Sequence, residues 1–565
     1  MNTTPELRQD YREFKLAEDG KAICGVVVSA ECSQKVTDAA KDFADLLEKM
    51  CGDRPSITTD NEELPQNPVF IGASKYTLSE GIQTPVGYPE NEVVYLKNCD
   101  NRCIVLLGND DGAFYGTAFA VTMFFERLGC GWFGPQELWH VIPEKKTVSI
   151  GYLDIEHRPQ FIARNNNVLA FFPELARRWY LGGAKRVAGH ALQIKFHYDK
   201  YFDEHPEWYC MIDKKRNPMG VEWWQFCYSN PELPKRFAQK ICEMFDNDPD
   251  LKQFSIALND GWYEGWCECD ECKKMGTNSE IAIEFCNRVA REVAKKHPNH
   301  ILTFLAYFST YFPPTRPMKL EPNLEIMFCK ECDMFMPVDK GPDNGYHLKY
   351  SFEQSKNTYP ETWKKNFEKW LELVDMNHIA IWDWYCIAAA APEWKDVPWV
   401  QGDVITRNHR FWKEHNVEYI YNDQGPLDVF FEDENSFALR WPLWYVNAYG
   451  MWDGLPTGSQ ILLDACRKLY GAAADAMCSF YLALADIAAH NTGKTVAWHP
   501  PKPHIVYSQD DVKRLDTIME SVVHLKDRLS LVELQRVQTQ ISLWQTAKNV
   551  ILDSRKEAEN GQKIS

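Results

Sequence analysis

From residue 23 to 29 the chain is a continuous apolar, Val-rich run, and from Ser33 onward the period changes. Val36, Ala39, Ala40, Phe43, Leu46, Leu47 and Met50 recur at helical spacing, which predicts a short strand followed by an amphipathic helix over 33–50. Short strands are expected at 69–72, 92–96 and 103–107. Asn109-Asp110-Asp111-Gly112 then opens a second helix, 113–128, that stops at Gly129. With a polar, peripheral stretch over 1–20, this makes an α/β domain spanning 1–150. Eight strand candidates follow, at 161–168, 187–194, 224–228, 254–258, 301–307, 324–328, 379–384 and 419–421. Helical segments lie between most of them, notably 231–245, 280–296 and 362–374, and the alternation predicts a (β/α)8 TIM barrel over 151–455. Past Asp453 the pattern turns to helices alone, at about 459–489, 509–527 and 531–553, with Ser508 and Asp511 placed to cap the second. Residues 456–565 are therefore expected to form a helical C-terminal domain, and the whole chain is of the α/β class.

The fourth barrel strand carries the most chemistry. Phe254, Ile256 and Leu258 alternate with Ser255 and Ala257, so little polarity falls on either face, as in a buried parallel strand. It breaks at Asn259-Asp260-Gly261, which is also what a plain turn looks like. A strand of this kind delivers Asn259 and Asp260 at the carboxyl end of a barrel, where catalytic groups of that fold sit. Trp262, Tyr263 and Trp266 follow at once, and their bulk would desolvate Asp260 and raise its pKa toward a general acid's range. Other strand ends are polar as well: Arg164-Asn165-Asn166, His190, Tyr307, Glu331, Asp383 and Asn422-Asp423.

Composition narrows the partners. A net charge of −18 lacks the clustered Lys and Arg that a nucleic-acid backbone needs. No apolar run reads as a membrane span, and the first residues lack a positive-then-apolar leader, which is the pattern of a cytoplasmic chain, or of a periplasmic or secreted one whose signal has been removed. Aromatic residues make up 13% of the chain. A large core uses many of them, but sugar rings also pack their C–H faces on aromatic faces. Trp382, Trp384, Tyr385, Trp394 and Trp399 are candidate platforms for a carbohydrate partner. Oligomeric state is left open, a homodimer included.

A resemblance carries the reading further. The stretch from Gly116 to Pro135, followed by His140-Val-Ile-Pro143, resembles the end of the non-catalytic N-terminal domain of α-glucuronidases and β-hexosaminidases. Gly189-His190, His205-Pro-Glu-Trp208, Cys227-Tyr-Ser-Asn-Pro231, the Asn259–Cys272 stretch and Leu469-Tyr-Gly-Ala-Ala473 together resemble the bacterial DUF4838 family. That family is similar in architecture to the α-glucuronidases of glycoside hydrolase family 67, and some members are grouped as family 163 endo-β-N-acetylglucosaminidases acting on N-glycans. The resemblance covers most of residues 20–550 and implies a glycoside hydrolase of carbohydrate metabolism acting on an oligosaccharide or glycoprotein glycan. It further implies retaining, substrate-assisted cleavage of β-N-acetylglucosaminide linkages, with Asp260 as the acid and Asn259 holding the 2-acetamido group. Many such enzymes have two carboxylates where this chain has Asn-Asp. In an inverting, glucuronidase-like alternative, Asp260 pairs with Glu331, Asp383 or Asp423 across ~6.5–9.5 Å, and Arg164 or Lys195 clamps a uronate. A carbohydrate-binding barrel without catalysis is the third reading. Substrate contacts are expected from Arg164, Asn165, His190, Trp262, Tyr307, Asp383, Trp384, Tyr385, Asn422 and Asp423.

The cysteines are mostly scattered singly, as reduced thiols would be. Cys267, Cys269 and Cys272 are the exception, with metal-ligand spacing but one thiolate short of a tetrahedral zinc site; Cys329 or Cys332 is the expected fourth. Structural zinc and plain free thiols are both compatible with the spacing, and no cofactor is required for hydrolysis. Dinucleotide, Walker, His-Glu-x-x-His and Gly-x-Ser-x-Gly motifs are absent.

Overall fold

The computed structural model describes residues 13–83, 92–166, 168–190, 195–216, 218, 224–260, 265–330, 337–340, 363–385, 392–423, 434–490 and 501–562. In the N-terminal part, strands β1 (Gly25–Val28), β2 (Ile57–Thr59), β3 (Pro68–Ile71), β4 (Val94–Cys99), β5 (Cys103–Gly108) and β6 (Asp154–His157) form one sheet in the order β6-β4-β5-β3-β1-β2. Pairing is parallel from β2 through β5 and antiparallel at β4 and β6. Helix α1 (Gln34–Cys51) buries the apolar stripe read from the sequence. Ser33 caps its first turn through the Val36 N–H, and Gly52, at φ 92, ends it in the left-handed conformation that glycine adopts without a Cβ penalty. Helix α2 (Gly116–Arg127) begins three residues later than the pattern predicted, because Asn109 accepts from the Asp111 N–H in the turn before it and Asp110 accepts from the Thr117 N–H and hydroxyl of its first turn.

The central sheet has seven strands. Its members are β7 (Ala163–Asn166), β8 (Gly182–Gly183), β9 (Gln253–Ser255), β10 (Ile301–Ala306), β11 (Leu324–Lys330), β12 (His378–Trp384) and β13 (Val417–Asp423), in the order β8-β7-β13-β12-β11-β10-β9. All neighbours are parallel except β8. Six of the eight expected barrel strands are present, in barrel order. The expected second strand is not one: residues 184–190 run irregularly, and 191–194 lie outside the described residues. The expected third is reduced to a single bridge between Tyr209 and Phe226. The described structure is thus a curled sheet, half of a barrel.

Alternation along these strands sorts side chains into two layers. Leu302, Phe304, Leu324, Ile326, Phe328, Ile379, Ile381 and Ile420 belong to the main core, under the surrounding helices. Ala163, Ala257, Leu305, Met327, Cys329, Ala380 and Tyr419 form a separate cluster inside the curl. Helices α3 (Leu233–Asn247), α4 (Asn278–Ala294), α5 (Trp363–Leu373) and α6 (Asp403–Glu414) cover the outer face. On helix α7 (Glu434–Trp452), Trp441, Leu443, Trp444, Tyr445, Val446 and Met451 are all buried, together with the polar Arg440 and Asn447.

The C-terminal region is helical: α8 (Gly458–Tyr470), α9 (Ala474–His490), α10 (Gln509–Val523) and α11 (Leu531–Gln562). Ser508 and Asp511 cap α10 reciprocally, as the sequence predicts. The expectation that no apolar run reaches membrane length needs correcting. By composition a window within Gly458–His490 is long and apolar enough, but 56% of that window is buried in the fold and Gly471–Ala473 breaks the stretch into two helices. This is the behaviour of core helices. One continuous core joins all three regions. Arg536 on α11 donates to the carbonyls of Leu138, His140 and Leu469, tying the last helix back to the first 150 residues.

A half-buried carboxyl holds the N-terminal part to α7. Glu126 on α2 accepts from the Tyr180 hydroxyl at 2.6 Å and from that of Tyr449, and burial pushes its carboxyl up to about 7. Between its ordinary 4.5 and about 7 the folded chain keeps a proton that the unfolded chain gives up, so stability falls as pH rises through that window. Glu126→Gln is expected to gain on wild type in denaturant midpoint across that range; parallel pH profiles would show that the carboxyl is not shifted.

Candidate functional site

At the carboxyl ends of the central strands lies a cavity of about 190 Å³, lined by His190, Asp260, Leu305, Tyr307, Cys329, Lys330, Trp382, Trp384 and Asp423. Asp260 follows β9 at the edge of the sheet, and Asp423 ends β13, four strands away. On a flat sheet four strand spacings would hold them roughly 19 Å apart; the curl brings both into one wall. The volume is below the ~300 Å³ at which drug-sized pockets begin, so it suits one ring-sized group. Larger clefts lie elsewhere, one of about 490 Å³ between α1 and the segment around Trp132, His140 and Pro173, but no ensemble of strand ends converges on it.

Asp260 keeps 41% of its side-chain surface exposed, and its Oδ1 lies 3.8 Å from Nε2 of His190. The other ring nitrogen, Nδ1, sits 2.5 Å from the Leu258 carbonyl, an acceptor only. Nδ1 therefore carries the proton and Nε2 is presented to Asp260. The His190 ring also leans against Tyr307, with centroids 6.0 Å apart. Of the three aromatic groups expected to desolvate Asp260, Trp266 is buried against Tyr228, while Trp262 and Tyr263 lie outside the described residues. Trp382 and Trp384 supply the apolar wall. The Trp382 indole meets the Tyr421 ring edge-on, at 4.7 Å and 73°.

Lys330 is the cavity residue that the sequence reading missed. It ends the apolar run of β11 and packs beside Asp383, with Nζ 3.6 Å from Oδ1 and side-chain exposures of 1% and 0%. Its signal in the sequence is a lysine closing a strand whose only other charged residue is Glu325. Arg164 and Lys195, the cations expected here, are not in the cavity. Arg164 is fully buried, donating to Glu92 at 2.5 Å and to the carbonyls of Tyr180 and Phe161 at 2.7 and 2.8 Å. Lys195 is exposed.

Strand alternation explains the other departures. Asp383 falls on the outward phase with Ile379 and Ile381. It accepts from Tyr385 OH at 2.7 Å, Trp412 Nε1 at 3.2 Å and its neighbour's N–H, Trp384 N, at 2.9 Å. It is a satisfied structural carboxylate, and Tyr385 beside it is fully buried. Asn422 is likewise outward, against Met451 at 3.4 Å. Asn165 points inward but lines a separate cleft of about 290 Å³ with Gly182 and Arg186. Trp394 and Trp399 are core residues whose indoles donate to Pro501 and Tyr385 carbonyls. Asn259 is 4% exposed and donates from Nδ2 to the Trp224 carbonyl at 2.9 Å, leaving Oδ1 buried without a hydrogen-bond partner. Glu331 lies outside the described residues.

The cysteine cluster is complete, though not from the expected source. Cys227 brings the fourth sulfur to Cys267, Cys269 and Cys272, and the four Sγ atoms all lie within 4.8 Å of one another. Cys329 lines the cavity instead, and Cys332 lies outside the described residues.

Residues 135–482 match the family described as a domain of unknown function, DUF4838. No curated protein matches the chain. Among solved structures it is similar to a family GH115 4-O-methyl-α-glucuronidase with specificity for decorated arabinogalactans, at 11% identity and a TM-score of 0.54 over 95% of this chain and 73% of that one. It is also similar to the N-acetyl-β-hexosaminidase of Streptomyces plicatus (10% identity, TM-score 0.38, 85% and 92% covered) and to CpGH89 of Clostridium perfringens, solved with its substrate GlcNAc-α-1,4-galactose (7%, 0.45, 91% and 61%). At such identities a likeness speaks for fold alone, and the first of the three carries that argument.

Removing the Arg164 guanidinium strands a buried Glu92 carboxylate, whose side chain is 1% exposed. Arg164→Met is expected to cost ~3–5 kcal/mol in chemical denaturation, with part recovered in Arg164→Met/Glu92→Gln. A cost within the range of a surface substitution would return Arg164 to the list of ligand contacts.

Proposed function

This chain belongs to the DUF4838 family, and from that premise we propose that it is a glycoside hydrolase whose acid is Asp260. The observation that carries the proposal is the meeting of Asp260, His190, Tyr307, Asp423 and two tryptophans at the carboxyl ends of one curled parallel sheet. Cleaving a glycosidic bond needs a proton for the leaving oxygen and a second group to stabilise or attack the anomeric carbon. Asp260 is exposed enough to reach a leaving oxygen, and His190 Nε2 stands where it can hold the carboxyl in place and exchange a proton with it. Trp382 and Trp384 offer faces for a sugar ring.

For the sugar, the first reading is a β-N-acetylglucosaminide cleaved with help from its own acetamido group. Asn259 Oδ1, buried without a partner next to Asp260 in the chain, is the kind of acceptor an acetamido N–H takes. Asp423 is then a binding group. A second reading is favoured by the two carboxylates, Asp260 and Asp423, that line one cavity: an inverting pair acting on an acidic sugar, with Asp423 as the base, while Lys330 borders the cavity with its ammonium turned to the buried Asp383.

The test is mass spectrometry of a complex N-glycoprotein, and of a panel of neutral and uronic-acid aryl glycosides, after incubation with wild type and Asp260→Asn. Turnover that falls by ~10²–10⁴-fold in the variant is expected. Equal turnover by the two proteins would remove Asp260 from the mechanism. Asp423→Asn separates the readings: on the first it raises KM and leaves most of kcat, on the second it removes turnover.

A further inference from the structure

The geometry points to a single zinc ion held by Cys227, Cys267, Cys269 and Cys272, a tetrathiolate site about which the loops bordering Asp260 are assembled. A zinc with four thiolates at ~2.3 Å sets its sulfurs about 3.8 Å apart, the edge of a tetrahedron of that radius. Cys227 Sγ lies 3.8 Å from Cys269 Sγ and 3.9 Å from Cys272 Sγ, and no pair in the set exceeds 4.8 Å. That spacing admits one ion. A multi-iron cluster, whose thiolates bind different metal atoms, needs them farther apart.

The surroundings are those of thiolates. The N–H of Met211 points at Cys267 Sγ at 3.3 Å, that of Cys272 at Cys269 Sγ at 3.4 Å, and that of Ser229 at Cys272 Sγ at 3.4 Å. The Ser229 hydroxyl adds contacts at 3.1 Å to Cys272 and 3.6 Å to Cys269. Arg216 stands beside Cys227, and its cation offsets part of the two net negative charges that four thiolates leave on a divalent ion. Three of the four are buried, and each nevertheless has an N–H, hydroxyl or sulfur partner. Binding releases the thiol protons to solvent, with no redox change.

The site joins three segments: the Met211–Ile212 and Lys215–Arg216 hairpin, residues 224–229, and residues 265–275, which include the short helix Asp270–Met275. The same segments fix the backbone before Asp260. Trp224 O holds the Asn259 amide, Gln225 Nε2 donates to Asn259 O at 2.8 Å, and Gln225 N donates to Gly265 O at 3.1 Å. In the place of the missing third barrel strand, a metal would supply the cross-link that a ladder of backbone hydrogen bonds supplies elsewhere.

The experiment is elemental analysis of the full chain purified without chelator, together with thiol counting under denaturing conditions without reductant. About one zinc per chain is expected, with an X-ray absorption shell of four sulfurs at ~2.3 Å. Cys227→Ser and Cys269→Ser should lose the metal while Cys286→Ser, buried elsewhere, retains it. Because the cluster variants can fail to fold, wild type is also titrated with an organomercurial in the presence of a chromogenic chelator: zinc should appear in step with thiol modification, and the thermal midpoint should drop. A folded chain with no metal and all four thiols free, a disulfide within the four, or iron in place of zinc would each overturn the assignment. None of these readouts depends on glycosidase activity.

Discussion

Where a curled parallel sheet has no strand pairing across its seam, as among the described residues here, something other than a backbone ladder must hold it, and in this protein side chains do it. Between β7 and β9 runs the irregular segment 184–190. The Gln253 amide accepts from Val187 N at 2.7 Å and donates to Val187 O at 3.1 Å, taking the place of a strand neighbour, while Ser255 Oγ donates to Gly189 O at 2.6 Å. Gln253 also donates to Thr303 Oγ1, which donates to the buried Glu325, which in turn faces Arg186 at 3.4 Å. This chain of polar groups crosses three strands inside the curl, every member buried or nearly so. In a low-dielectric interior such a chain is favourable only when complete, so it fixes the curvature sharply.

Everything at the carboxyl ends inherits that curvature. Asp260 and Asp423 share a wall because β9 and β13 have been brought round toward each other, and His190 reaches Asp260 because the segment carrying it is pinned to β9 by Ser255 and Gln253. The polar chain thus crosses the sheet below the cavity, and the groups that line the cavity sit at the carboxyl ends of the strands, where barrels place their sites. The helical regions contribute by enclosure: α7, buried along almost its whole length from Phe437 to Trp452, fills the space between the sheet and the N-terminal part. Arg164 and Glu126 satisfy the buried polar groups where these layers meet.

Much of this was legible in residue order. Six barrel strands, the N-terminal α/β layer and the C-terminal helices follow from hydrophobic period and turn residues, and Asp260, His190, Tyr307, Trp384 and Asp423 were marked by their place at strand ends. Phase along each strand was the part left unread. Val417, Tyr419, Ile420 and Asn422 do not announce which of them faces inward when both faces are apolar, and a bulge between Ile379 and Ala380 shifts the register of β12 on β13. Asp383, Asn422 and Arg164 therefore looked like their neighbours Trp384, Asp423 and Asn165 although they point the other way.

What the sequence determined by itself was local: the elements, their order, and which polar residues stand where strands stop. These depend on interactions a few residues long, so period and capping chemistry suffice to specify them. Tertiary structure alone decided which strand ends meet. The pairing of Lys330 with Asp383, the sealing of Arg164 against Glu92 and the arrival of Cys227 beside Cys267, Cys269 and Cys272 join positions from 40 to 72 residues apart. Such contacts exist only once the sheet has curled, because curvature is a property of many strands together and no single segment encodes it.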